Sequence, residues 1–200
     1  MPWREGVEMS MLILGLVLFL GVHSVRIVAD DWRTRQIAQR GEGVWKGVYA
    51  LLSLIGFVLI VQGYGQARLA PVVLWTPWVG GRHLASLLTL IAFVLLAAAY
   101  VPGNAIKAKL KHPMVLGVKV WALAHLLANH TLADALLFGA FLVWAVLDFR
   151  SARRRAAPAV APVSAARTGL TVVAGLVAWA AFAFWAHGAW IGVRPFGGAG

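Results

Sequence analysis

The chain has 200 residues, 61% of them hydrophobic and 12% charged, with 18 Lys and Arg against seven Asp and Glu and a formal net charge of +11. That is half the charged fraction of an ordinary soluble domain, and with a mean hydropathy of +0.80 it excludes one. The absence of cysteine excludes disulfides, thiolate metal sites and thiol nucleophiles, and the cations sit in short clusters between apolar runs, as in membrane proteins and not as in a nucleic-acid binder.

Six apolar runs, near residues 9–29, 45–63, 83–101, 113–129, 132–148 and 169–190, meet or approach the roughly 20 residues needed to cross about 30 Å of hydrocarbon. The expected fold is all-α: a polytopic membrane helix bundle of about six transmembrane helices. The first run is too long for a cleavable signal and lacks a small-residue cleavage pattern. Several of the ten tryptophans lie near run ends, as in an interfacial belt. Segments 1–150 form a five-span core, 151–168 an Ala/Pro/Arg-rich linker, and 169–200 the sixth helix with its tail.

In the first run, "GVHSVRIVADD" places His23, Arg26 and Asp30 at i, i+3 and i+7, a polar stripe in which Arg26 can pair with Asp30. In the second, Lys46 is interfacial and Ser53 can bond its own backbone. "GGRHLAS" puts Arg82 and His83 at the start of the third, and His187 lies near the end of the sixth.

The fourth run, "KHPMVLGVKVWALAHLLANH", is the most unusual. Pro113 suits a first helical position. At 100° per residue Trp121, His125 and Asn129 share one face, while His112, Lys119 and His130 share another. Gly117, Ala124 and Ala128 form a small-residue ridge suited to close helix approach. His112 and His130 lie at the ends, and Lys119 can snorkel. His125 sits near midspan and reaches neither surface; it either bonds a neighbouring helix or ligates a metal or haem, for which neutral imidazole is the usual donor. After it, "NHTLAD" offers Thr131 as cap and Asp134 in the capping-box position, which makes the fourth and fifth helices a tight hairpin.

Orientation follows from the cations. The loops after spans one, three and five carry eleven Lys and Arg, and the other side carries Arg4, Arg68, Arg82 and Arg194. The positive-inside rule puts the three basic loops in the cytoplasm and both termini outside. The 1.5 Å rise then sets His23 roughly 6 Å to the cytoplasmic side of its span centre and His125 roughly 5 Å to the outer side. His23 with His125 is admissible as an iron-ligating pair on depth, and His83–His125 and His23–His112 do about as well.

Five motifs in order ("HS" in the first run, "GEGVWKGVYALLSL", "GRHLASLLTLIAF", "HPMVLGVKVWALAHLLANH" and "HGAWIGV") give a chain that resembles the NnrU family of bacterial membrane proteins over nearly its whole length. The family usually has "NG" where this chain has Asn129-His130. The resemblance implies a multi-pass protein of the bacterial inner membrane connected with denitrification and nitric oxide metabolism. The same domain is similar to plant zeta-carotene isomerase, a haem b enzyme, which implies haem b as cofactor. Carried over by position, the resemblance names His23 and His125 as iron ligands, with His112 as substitute; His83 stays a further candidate on depth alone. Arg26, Lys46 or Lys119 would then meet the haem propionates, with Asn129 on the His125 face.

Three functional classes follow. One is a haem protein that senses nitric oxide, passes electrons or isomerises a polyene lipid. Another is an accessory protein of a respiratory nitrogen-oxide reductase. The third is a membrane enzyme similar to isoprenylcysteine methyltransferases, against which stands the lack of an acidic or Gly-rich constellation. Only Asp134 and Asp148 lie in the second half, both at helix ends, so carboxylate acid–base chemistry is not expected.

Overall fold

In lipid an apolar chain has no partner for its backbone but itself, so the apolar runs become helices. The computed structural model describes residues 2–76, 78–155 and 161–196, with side chains from Met9 onward. Its elements are α1 (Pro2–Val28), α2 (Asp30–Arg40), α3 (Glu42–Ala67), α4 (Gly81–Tyr100), α5 (Ala105–Leu110), α6 (Pro113–Ala128), α7 (Leu132–Arg154) and α8 (Ala165–Ala181), the last continuing as a π-helix over Phe182–Ile191. Five stretches are long and apolar enough to cross a membrane: Met9–Val28, Glu42–Ala67, Gly81–Tyr100, Leu132–Arg154 and Ala165–Ile191. The fourth expected span, α6, is a 16-residue apolar helix, about 24 Å long at 1.5 Å per residue. Large side chains such as Val17 (65% exposed) and Leu54 (60%) cover the outside of these helices, a surface that only lipid or another apolar body can cover.

The helices fall into two compact units. The first comprises Met1–Thr76 and Asn129–Asp148, the second Pro77–Ala128 and Phe149–Gly200, so α7 passes from one to the other after Asp148.

In the first unit α1 and α3 run antiparallel with backbones in contact, which glycine permits. A Cβ on Gly15 would lie 2.6 Å from the Ile60 nitrogen, one on Gly56 2.8 Å from that of Phe19, and one on Gly63 would collide with Leu12. Leu12 is fully buried at this seam. The chain beyond α3 returns to the start of α7. There Leu74 N–H donates to His130 O (2.9 Å) and Leu132 N–H to Val72 O (2.8 Å) around an isolated Val73–Thr131 bridge. The expected capping box is present: Asp134 N–H donates to Thr131 Oγ1 at 3.3 Å, and Thr131 N–H to Asp134 Oδ2 at 3.1 Å.

In the second unit α4 packs on α6 and on α8. The small-residue ridge of α6 meets α4 as expected: Gly117 faces Ala92 O and Leu96, and Ala92 and Ala124 are fully buried. Gly175 gives α8 the same approach to Val94. The turn after α4 is built on Asn104, fully buried, whose amide donates to Ala98 O (3.0 Å) and Val101 O (2.5 Å) and whose Oδ1 caps Lys107 N–H (2.7 Å). α8 is tied to this turn by Ser164 N–H to Gly103 O and Ala105 N–H to Thr168 Oγ1, both 3.0 Å.

Four expectations change. The segments after spans one and three, read as loops, contain α2 and α5. The first helix breaks at Ala29 (φ −144, ψ 40), so Asp30 opens α2 rather than ending the stripe of His23 and Arg26. α6 stops at Ala128, so Asn129 and His130 lie beyond it, because the pairing of His130 with Leu74 holds that stretch extended. The linker is part helix, with α7 reaching Arg154 and α8 starting at Ala165, while its residues 156–160 lie outside the described residues.

Candidate functional site

His23 stands in the last turns of α1 among aromatic side chains of its own unit. Its ring stacks on Phe19 (centroids 4.2 Å apart, planes 26° apart) and meets Tyr49 of α3 at 5.1 Å and Trp144 of α7 edge-on at 6.0 Å. One layer along, Phe19 touches Phe57 and Phe141. Helical periodicity makes the layering: residues 19 and 23 of α1, 49, 53 and 57 of α3, and 141 and 144 of α7 each lie on one face.

The imidazole is held in one tautomer. Nδ1 lies 2.7 Å from the Phe19 carbonyl; a carbonyl only accepts, so Nδ1 carries the proton and Nε2 carries the lone pair. One buried polar atom nearby lacks a partner among the described residues, Trp144 Nε1, on the ring that meets His23; Ser53 Oγ, one turn along α3, faces the Tyr49 phenol. The expected bond from Ser53 to its own backbone is not made. A buried orphan donor normally costs free energy and is a marker of an absent partner.

In the second unit His125 is prepared in the same way. Its Nδ1 donates to the Trp121 carbonyl at 2.8 Å, with the Trp121 ring 5.1 Å away. The expected second face of α6 is real for two of its members, since His112 and Lys119 both reach Phe149: the His112 ring edge-on at 6.3 Å and Lys119 Nζ 5.4 Å from the ring centroid.

The other candidates are placed less centrally. His83, at the first turn of α4, is exposed. Lys46 Nζ is paired with Glu42 at 2.9 Å, so the ion pair takes the charge expected for a propionate. Arg26 lies 3.9 Å from Asp30, the pairing read from the sequence, although the two now belong to different helices. Asn129 lies just beyond the last residue of α6. His187 Nδ1 donates to Val193 O at 2.6 Å.

The donor set fits a haem better than a bare metal ion. Among the described residues no group of three or more His, Cys, Asp or Glu could hold an ion, whereas haem iron asks the protein for only one or two imidazoles, with the other four ligands its own. An Nε2 lone pair fixed by an Nδ1–H bond to a backbone carbonyl is the arrangement that orients a metal-bound histidine and raises its basicity. Sequence reasoning misses Tyr49 and Trp144; the signal available for them is their place on one helix face with Ser53 and with Phe141.

In comparison with known protein families, the family model described as NnrU protein matches residues 11–195. No curated protein and no solved structure matches the chain.

Proposed function

The chain belongs to the NnrU family, and on that premise we propose that it is a haem b-binding protein of the bacterial inner membrane, with six spans and both termini outside, acting in nitrogen-oxide or other redox chemistry. The observation that carries this reading is His23 in the first unit, its Nδ1–H given to the carbonyl four residues back; His125 in the second unit is held in the same way. Within the first unit, Phe19, Tyr49 and Trp144 supply flat apolar surface around His23, and Trp144 Nε1 supplies a donor in search of an acceptor. Haem, held by His23 or His125, would supply a redox-active iron. The chain's residues orient the ligating nitrogen, exclude water and hold the imidazole proton away from the iron side.

The spectrum of the detergent-purified protein, oxidised and dithionite-reduced, tests this. A Soret band with sharp reduced α and β bands is expected. His23→Ala and His125→Ala should each lose or alter them while helicity is kept. A variant that retains stoichiometric haem with an unchanged spectrum removes that histidine from the ligand set. A featureless spectrum of the unmutated protein, expressed with ample haem supply, removes the reading altogether.

A further inference from the structure

The two units divide the charge unequally. Every one of the seven Asp and Glu lies in the first unit, together with seven of the 18 Lys and Arg, so that unit is formally neutral. The second unit holds the other eleven cations and no carboxylate. Membrane topology alone does not require this, since the positive-inside rule counts cations and is nearly blind to acids. The α1–α3 connection shows the alternative: there Arg26 and Arg33 approach Asp30, and Lys46 pairs with Glu42.

Nine of the second unit's cations gather at one of its ends: three lysines between 107 and 111, four arginines between 150 and 155, Lys119 and Arg167. The fold brings them together. α5 joins α4 to α6, the bonds of Gly103 and Ala105 fix the start of α8 beside α5, and the Arg167 guanidinium lies across Gly103, where a Cβ would stand 2.8 Å from it. α6 and α8 begin here and α4 and α7 end here, so the helix dipoles offset one another and the field at this end is that of the cations themselves. Lys119 Nζ and Arg153 Cζ stand 5.4 and 5.8 Å from the centroid of the same ring, Phe149. The ring attracts each cation and so holds two positive charges at one place in the unit. The nearest carboxylate along the chain, Asp148, lies one residue outside the unit and can offset one charge at most.

We propose that this end of the second unit, formed by α5, the N-termini of α6 and α8 and the arginine run closing α7, binds the phosphate headgroup of an anionic phospholipid. The headgroup is the occupant because the cations stand at the ends of apolar helices, where the leaflet surface supplies phosphate diesters at high local concentration and each basic residue near it is attracted. Lys119 and Arg153, steered onto Phe149, close on the phosphate from the α6 and α7 sides, and Arg167 and Lys109 flank it from the other, while Lys107 Nζ donates to Ala99 O at 2.7 Å.

Native mass spectrometry of the full chain in detergent tests this, with phosphatidylglycerol and phosphatidylcholine added in equal amounts and inorganic phosphate as a separate competitor. Phosphatidylglycerol should be retained at least tenfold over phosphatidylcholine. The Lys119→Gln/Arg153→Gln protein should lose at least fivefold of that preference, and Lys119→Arg/Arg153→Lys should keep it. Should the Gln variant lose helicity, Lys109→Gln/Arg154→Gln, both exposed positions, carries the same expectation. Equal retention of the two lipids, or an unchanged preference in a folded Gln variant, overturns the proposal. Displacement of the lipid by millimolar inorganic phosphate overturns it too, since the site would then be one for free phosphate.

Discussion

The phenol of Tyr64 donates to Asp134 Oδ1 at 2.6 Å across 70 residues of chain, while Thr131 Oγ1 holds Oδ2 at 2.6 Å. One buried carboxylate therefore caps α7, anchors it to α3 and fixes the extended strip beside Val72–Leu74. Tyr64→Phe removes one bond of this set and should cost about 1–2 kcal/mol. Asp134→Ala removes the cap as well and strands the phenol, costing about 2–4 kcal/mol. Unfolding in graded denaturant, followed by circular dichroism for both single variants and the double, should give a double cost smaller than the sum.

Gly63 and Gly65 lie two residues apart on α3 with opposite surroundings: a Cβ on the first meets the Leu12 backbone, and one on the second meets nothing within 4 Å. Gly63→Leu should prise α1 from α3 and leave little folded protein, because backbone cannot move aside as a side chain can. Gly65→Leu should fold with stability equal to or above that of the parent, helped by helix propensity. Yield and melting temperature after detergent extraction decide; equal behaviour would refute the seam.

Trp144→Phe separates a ligand donor from a structural one. The indole N–H is buried without a partner, so its removal should leave the haem-free protein unchanged or about 1 kcal/mol more stable. If the indole serves the cofactor, the same variant should release haem more readily. Comparison of apo melting temperature with haem loss to a scavenger globin reads both.

Asn104 bonds three backbone groups from a fully buried position. Asn104→Ala should cost about 2–4 kcal/mol by stranding them. Asn104→Asp should cost a similar amount, since a carboxylate cannot donate to the Ala98 and Val101 carbonyls. Melting of the two variants checks this.

Much of the fold was legible because lipid leaves so few choices. Apolar runs of sufficient length marked the five long helices, and Thr131–Asp134 marked the start of α7 from side-chain chemistry alone. Hydropathy overshot at Asn129 because it cannot see that the His130 carbonyl is claimed by Leu74, far away in sequence. It also passed over α2, a polar helix, although Asp30 and Asp31 in its first turn and Arg40 in its last are the charge signals of a helix. At the candidate site the histidines could be read from the sequence, and so could the pairing of Arg26 with Asp30. The neighbours of His23 could not, since Tyr49 and Trp144 come from two other helices and nothing local announces them.

The first unit is interrupted in the chain by residues 77–128 of the second. A ribosome making the protein releases Tyr64 70 residues before Asp134, which at 5–20 residues per second is an interval of roughly 4–14 s. For that time the phenol and the strip at Val72–Leu74 wait at the membrane with their partners unmade. The synthesis of α7 is thus the event that completes the first unit, and a chain halted before it holds α1 and α3 together by their glycine seam alone.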